Sequence, residues 1–296
     1  MSTLDKTTQP QISGLAKIWQ RVPVLIRAIV TGFLVFAIVG YVMLLGILNL
    51  IPVPWSLVIM TGVLWIYWIY FSGKWWKTPS AATRSEHFRS TKLSVGTWKW
   101  SLITALLIVV AIQSSAVITF RLFEFPADEW ALGVDFKPYP VWLVWLYIIL
   151  LAAMAGITEE VGFRGYMQVP LEKKYNTTAG IVIVAIMFVV LHFTQAWAPS
   201  ALITLFMAGV MWGILSHTSG SLIPAIISHT IVDIFNFSYW WTDIAGTFDK
   251  KTIAETGIDI HFVSWLLLLV MSIALFSWAA RKTLRARKSA ANNMRI

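Results

Sequence analysis

The sequence predicts an all-α, polytopic membrane protein with eight transmembrane helices, built as a single integral membrane domain over residues 1–296. Of its residues, 58% are hydrophobic and only 12% are charged, whereas about 25% are charged in an average soluble domain. Eight apolar stretches follow one another along the chain, and about 20 apolar residues suffice for one transmembrane helix. No polar stretch between them is long enough to form a soluble domain.

The eight apolar stretches give the expected order of the transmembrane helices. The fifth and sixth stretches are short and lie on either side of Pro199, so the ends given for them are approximate. No cleavable signal peptide is expected, because the first stretch is long and no Ala-x-Ala site follows it. The stretches cover about residues 28–50, 55–71, 100–120, 141–171, 179–193, 200–216, 222–240 and 262–280.

Lysine and arginine predict the orientation of these helices, since loops rich in positive charge remain in the cytoplasm. With eight spans, both termini lie on the same side of the membrane. The opposite side carries only four of the 23 basic residues, so the remaining 19 share the side of the termini. We therefore expect a multi-pass protein with both termini in the cytoplasm. The four exceptions are Arg121, Lys137, Lys250 and Lys251.

Composition also limits the chemistry of the protein. The formal charge of +9 is explained by the basic loops beside apolar stretches, so no nucleic-acid partner is expected. Cysteine is absent, which excludes disulfides, lipidated cysteines and zinc bound by thiolates. Any metal would therefore need histidine and carboxylate ligands. The chain also lacks the His-Glu-x-x-His, Gly-x-Gly-Asp and Gly-x-Ser-Gly motifs of other intramembrane proteases.

Two adjacent carboxylates, Glu159 and Glu160, follow an uncharged apolar run over residues 141–157. An ionised group at membrane depth costs about 2.5–3.5 kcal/mol, so a chain that places three there, counting Arg164, is expected to use them. On a helix Glu160 faces Arg164, whereas Glu159 is turned about 100° away. This division leaves Glu159 as a candidate general base. The structural alternative is a buried ion pair beside one interfacial carboxylate.

Two further apolar stretches carry one histidine each, His192 and His229. A lone histidine on an apolar helix is more often a hydrogen-bonded core residue than a catalytic one. His229 and Asp233 are four residues apart, so Asp233 could accept a proton from one ring nitrogen and fix the tautomer of His229. Asn236 lies seven residues after His229, near the same helix face. The structural alternative is a local hydrogen-bonded pair.

Depth along the helices decides whether these groups can meet. At 1.5 Å per residue, Glu159, His192 and Asp233 lie about 18, 21 and 16 Å from the cytoplasmic ends of their helices. The three polar sites can therefore converge at one level. This requires the fourth helix to continue past Arg164 instead of ending at Glu159.

Three motifs occur in a fixed order on these late apolar stretches: Glu-Glu-x-x-x-Arg, Phe-x-x-x-His and His-x-x-x-Asn/Asp. In this order and spacing, residues 141–240 resemble the CPBP family of intramembrane proteases. That family includes type II CAAX prenyl endopeptidases and bacterial proteins linked to bacteriocin immunity. The resemblance implies an eight-helix fold with a conical intramembrane site open to the cytoplasm, in a bacterial or archaeal cell membrane.

The same resemblance implies a role for each motif residue. Glu159 and His192 would activate water, His229 and the residue at position 233 would stabilise the oxyanion, and a structural ion pair would complete the site. That pair consists of Glu160 and Arg164.

Position 233 leaves the mechanism open. An asparagine there can donate a hydrogen bond to an oxyanion, but Asp233, if ionised, repels the developing charge. In one version of the mechanism, Zn²⁺ held by Glu159, His192 and His229 polarises water. In the other, Glu159 and His192 activate water without a metal.

The predicted function is that of an intramembrane endopeptidase that hydrolyses a peptide bond near the cytoplasmic membrane face by Glu/His-activated water. Its partners would be the lipid bilayer and a peptide or protein substrate, lipidated or not. The alternative is a catalytically silent membrane scaffold or bacteriocin-immunity protein that binds a partner in the bilayer. Three intact motifs favour the enzyme, since a decayed motif would have favoured the scaffold.

Overall fold

The computed structural model describes residues 14–75, 78, 80–123, 136–193, 198–242, 244–246 and 248–293, and the regular elements among these residues are all helical. Two π-helical segments, π1 and π2, continue α6 and α10. In chain order the elements are α1 (Gly14–Arg21), α2 (Val24–Leu50), α3 (Trp55–Phe71), α4 (Ala81–His87), α5 (Val95–Leu122), α6 (Val141–Glu159), π1 (Glu160–Met167), α7 (Gln168–Lys174), α8 (Thr177–His192), α9 (Ala198–Ser219), α10 (Ile223–Phe235), π2 (Asn236–Trp241), α11 (Ile253–Thr256) and α12 (Ile260–Asn293).

Each of the eight apolar stretches falls on a helix of this bundle. Within the described residues, four helices are long and apolar enough to cross a membrane, which supports an integral membrane protein. Three further apolar helices are shorter, so the count of eight spans stays a prediction. The four long helices are Val95–Leu122, Val141–Lys174, Ser200–Ser219 and Ile260–Asn293, and the shorter ones are Val24–Ala37, Trp55–Phe71 and Thr177–His192.

The fourth predicted helix continues past Arg164, as convergence of the three polar sites requires. It runs without a break over Val141–Lys174, because π1 joins α6 directly to α7. A π-helical turn holds more residues than an α-helical turn, and such turns are frequent at functional sites. No local sequence pattern predicted this wider turn, which begins at Glu160.

A glycine allows the two helices that carry the main motifs to approach each other. A Cβ atom on Gly156 of α6 would lie 2.6 Å from the Thr230 hydroxyl oxygen and 3.0 Å from the Thr230 backbone nitrogen of α10. Only a residue without a Cβ fits there. Close contact at this point brings the carboxylates at the end of α6 to the level of His229.

Helices α5 and α12 pack against each other in antiparallel directions, and their termini define the two ends of the bundle. At the basic end, where α5 begins and α12 finishes, Arg287 Nη1 donates to the His217 carbonyl at 2.7 Å. At the opposite end, Arg121 Nη2 lies 2.8 Å from Asp259 Oδ2. This hydrogen bond from Arg121 lowers the pKa of Asp259 to about 2.

Candidate active site

The predicted ion pair forms the buried floor of the site. Arg164 Nη1 lies 2.9 Å from Glu160 Oε1, and both side chains are fully buried. The guanidinium also stands 4.7 Å from the ring centre of Phe188 and 5.3 Å from that of Trp212. Cation–π contacts of this kind add to the attraction of the carboxylate. The four-residue spacing in the first motif therefore serves an internal ion pair.

His229 occupies the centre of the site and is held on two sides. Its Nδ1 lies 2.9 Å from Glu160 Oε1, and its ring stacks on Trp212 at 3.9 Å between centres. Because Glu160 is paired with Arg164, it is an acceptor, and Nδ1 carries the proton of this hydrogen bond. The sequence suggested that Asp233 fixes the tautomer of His229. The structure instead gives that role to Glu160, which approaches from another helix.

The other nitrogen of His229 faces two carboxylates. Its Nε2 lies 3.7 Å from Glu159 Oε2 and 3.4 Å from Asp233 Oδ2. Among the described residues, no hydrogen-bond partner reaches the buried oxygen Oε2 of Glu159. Burial of a carboxylate oxygen without a protein hydrogen-bond partner destabilises the folded state unless a water or a ligand donates a hydrogen bond to it. Glu159 thus offers an acceptor to whatever enters beside His229.

His192 ends α8 on another wall of the site. Its Nδ1 lies 2.7 Å from the Phe188 carbonyl oxygen, which is an acceptor only. The proton of this bond therefore sits on Nδ1, and a neutral His192 keeps Nε2 as an acceptor. The Phe-x-x-x-His spacing of the second motif places both partners of this bond on one helix face.

A cavity of about 130 Å³ connects these groups. Glu159, His192, His229 and Asp233 line it, whereas Glu160 and Arg164 are not among its lining residues. The six candidates thus divide into four that face a cavity and two that support His229 from behind. The rest of the wall is mostly apolar and comes from α5, α6, α8, α9, α10 and π2.

The cavity lies in one half of the bundle. From the level of Glu159, its wall continues to Phe120 near the end of α5, Ala201 near the start of α9 and Phe237 in π2. These residues belong to the opposite end, away from the Lys/Arg-rich segments. The expected opening of the site to the cytoplasm is therefore not confirmed. An opening to the cytoplasm also conflicts with the prediction of cytoplasmic termini. Such termini would place the basic end in the cytoplasm, whereas the cavity lies toward the opposite end.

Glu159, His192 and His229 were the expected ligands for a metal ion. In the described part of the chain, no group of three or more His, Cys, Asp or Glu residues is arranged to hold one. The expected trio does not form such a group. Metal dependence stays a prediction for a chelation experiment.

Two residues outside the predicted set lie next to the motif residues. Asn236, at the start of π2, interacts with Asp233 through its side chain. Gln113 of α5 donates from Nε2 to Asn236 Oδ1 at 3.2 Å. The sequence placed Asn236 near the face of His229 without a role, and Gln113 gave no local signal because its partner is 123 residues away.

Comparison with known proteins agrees with the three motifs. Residues 140–235 match the family model described as Type II CAAX prenyl endopeptidase Rce1-like. The expected family resemblance is confirmed. No curated protein and no solved structure matches the chain. The Rce1-like segment contains all six candidate residues, whereas Asn236 and Gln113 lie outside it. The match points to a protease acting on a peptide or protein substrate at a bilayer.

Proposed function

We propose that the protein is an intramembrane endopeptidase that uses Glu159 as general base. The observation that carries this proposal is the buried Glu159 Oε2, which has no protein hydrogen-bond partner among the described residues and borders a cavity shared with His192 and His229. A base must lie within reach of the water proton that it removes. The Rce1-like match supports the reaction class. No observation on the described residues favours a silent scaffold.

In the proposed reaction, Glu159 takes a proton from water while the water oxygen attacks the carbonyl carbon of the scissile peptide bond. Nε2 of His192 accepts a hydrogen bond from the other O–H of that water and so orients the water for attack. The carbonyl electron pair moves onto oxygen and forms an oxyanion. When the intermediate collapses, the C–N bond breaks and Glu159 returns its proton to the leaving amine.

The oxyanion needs hydrogen-bond donors, and this requirement limits the roles of His229 and Asp233. The Nδ1 proton of His229 is directed to Glu160, so only Nε2 faces the cavity. The 3.4 Å contact between Nε2 and Asp233 is a hydrogen bond only if one of the two atoms carries a proton. We propose that this shared proton keeps Asp233 from repelling the oxyanion.

We further propose that the substrate approaches from the opposite end of the bundle. The cavity wall reaches that end at Phe120 and Ala201, where few basic residues occur. Together with the Lys/Arg bias, this favours cleavage on the side of the membrane away from the cytoplasm. It replaces the expectation of a cut near the cytoplasmic face. A lipidated substrate is compatible with the mainly apolar wall.

Glu159→Gln tests the proposed base. Purified protein in lipid vesicles is assayed with a fluorescence-quenched peptide that ends in a farnesylated Cys-aliphatic-aliphatic-X sequence, with its unprenylated twin and with a peptide library. We expect turnover to fall by about 10²-fold or more, because the glutamine amide cannot accept the proton of the attacking water. Glu255→Gln, at an exposed site near Lys251, is the control and should match the parent. Near-normal cleavage by Glu159→Gln would show that another group is the base.

A further inference from the structure

A chain of three side chains links α5 to Asp233. Gln113 Nε2 donates to Asn236 Oδ1 at 3.2 Å and to the Val232 carbonyl oxygen at 3.5 Å. The side chain of Asn236 in turn interacts with the Asp233 carboxylate. Asn236 and Asp233 both line the cavity, together with Glu159.

These contacts fix which way the Asn236 amide points. The amide group of Gln113 faces two acceptors on α10 and π2, so it presents N–H bonds to them. Asn236 must therefore offer its carbonyl oxygen to Gln113 and its NH₂ group to the carboxylate of Asp233. Because Asn236 and Asp233 both line the cavity, the two hydrogens of this NH₂ group are turned away from Gln113 and toward Asp233 and the cavity.

The third motif of this chain lacks a neutral amide donor at position 233. Asp233 stands where an asparagine would supply an N–H to the oxyanion, and a carboxylate supplies one only when it is protonated. Asn236 is three residues further along, so it lies close to Asp233 on the helix surface. Its N–H donors do not depend on pH or on the state of His229.

We propose that Asn236 is a catalytic residue that donates a hydrogen bond to the oxyanion in place of an asparagine at position 233, and that Gln113 is the positioning residue that aims it. The proposal rests on the proteolytic function argued above. It adds two residues outside the Rce1-like segment of residues 140–235. It also explains how a site with aspartate in its third motif can stabilise an oxyanion.

The first test removes the donor and then restores one at position 233. Asn236→Leu keeps the approximate side-chain size, and we expect kcat on the farnesylated peptide to fall by about 10²–10³-fold with a small change in KM. Adding Asp233→Asn to this variant should raise kcat by at least about tenfold. The reason is that loss of one oxyanion donor lowers kcat by more than tenfold, so a restored donor should recover that much. A merely structural role for Asn236 predicts no recovery from the second substitution.

The second test turns the amide around. Gln113→Glu is nearly isosteric, but its carboxylate accepts hydrogen bonds, so Asn236 would point its NH₂ group at residue 113 and its oxygen toward Asp233 and the cavity. Gln113→Met has a similar length and removes the donor without attracting the amide. We expect kcat to fall further in Gln113→Glu than in Gln113→Met, with KM nearly constant in both.

Gln168→Met is the matched control. Gln168 is a buried glutamine that donates to the Gly213 carbonyl oxygen at 3.0 Å outside the cavity, so kcat of its folded fraction should equal that of the parent. Size-exclusion profiles establish the folded fraction of every variant. If the parent cleaves in a Glu159-dependent manner but Asn236→Leu keeps at least half of kcat, the Asn236 proposal is wrong and the proposed function stands. If the parent cleaves no peptide at all, both proposals fail.

Discussion

At the scale of single residues, the two adjacent glutamates have opposite surroundings. Glu160 is fully buried and contacts both Arg164 and His229, whereas Glu159 keeps 14% of its side chain exposed and borders the cavity. A fully buried carboxylate that is held by a guanidinium and an imidazole does not reach a water or a substrate in the cavity. The pair Glu159–Glu160 therefore combines one group that faces the cavity with one group that supports His229.

The supporting role of Glu160 predicts the behaviour of Arg164→Ala. Removing the guanidinium leaves a fully buried carboxylate with only His229 as a partner, and breaking a buried ion pair in this way costs about 3–5 kcal/mol. We expect a lower yield and a lower unfolding temperature in detergent. Arg281→Ala, at an exposed position of α12, should behave like the parent. Combining Arg164→Met with Glu160→Gln should restore part of the stability, and its failure to do so would argue against an unpaired charge as the cause.

Asp233 separates the two versions of the chemistry. Without a metal, Asp233→Asn should preserve or raise activity, because the new amide adds a donor beside His229, and chelator should have no effect. With zinc, the same substitution should weaken metal binding and chelator should abolish the activity of the parent. We favour the version without metal, since Glu159 and His192 suffice to activate water. Stoichiometric zinc that is lost together with activity on chelation would contradict it.

At the scale of helices, one contact sets the distance between Glu159 and His229. Gly156 of α6 lies against Thr230 of α10, three residues before the base and one residue after the histidine. The two π-helical segments begin at Glu160 and Asn236, so the chain widens next to the site on both helices. Small changes in this contact should therefore act on the catalytic geometry.

We expect Gly156→Ala to lower both thermal stability and kcat, because the added methyl group would lie 2.6 Å from the Thr230 hydroxyl. Misplacing a base by about 1 Å can cost about 10²-fold in rate. Gly62→Ala in α3 is the matched control, since its methyl group meets no atom within 4 Å. Thr230→Ala in the Gly156→Ala background removes the closest atom and should recover part of kcat. Unchanged kcat in Gly156→Ala would mean that this contact does not set the geometry.

At the scale of the whole molecule, the Lys/Arg bias and the position of the cavity belong together. If the termini are cytoplasmic, the basic end is cytoplasmic and the cavity lies toward the other face of the membrane. The two ends also differ in their contacts. Arg287 donates to the His217 carbonyl at the basic end, and Arg121 pairs with Asp259 at the opposite end.

The absence of cysteine makes this orientation directly measurable. Single cysteines are introduced at exposed positions, Ala82→Cys near the basic end and Lys250→Cys near the opposite end. With intact cells and a membrane-impermeant maleimide, we expect labelling at position 250 and labelling at position 82 only after permeabilisation. The reverse pattern would refute cytoplasmic termini and would return the cavity to the cytoplasmic side. Labelling of both in intact cells would indicate leaky cells, which a cytoplasmic marker protein detects.

The sequence by itself determined the helical membrane class and identified the residues that we propose to carry the chemistry. Its composition excludes a soluble domain, and the spacing of Glu160 and Arg164 is enough to predict their ion pair, because residues four apart on a helix are neighbours. The same local rule predicts the pairing of His229 with Asp233. Such contacts depend only on the helical repeat.

Tertiary structure alone decided what each residue faces. The contact from His229 to Glu160 joins residues 69 apart, and that from Gln113 to Asn236 joins residues 123 apart. No local spacing encodes such pairs, because they depend on which helices pack together and at what height. For the same reason, the sequence predicted that the polar groups could meet at one depth but not that their cavity lies toward the end with few basic residues.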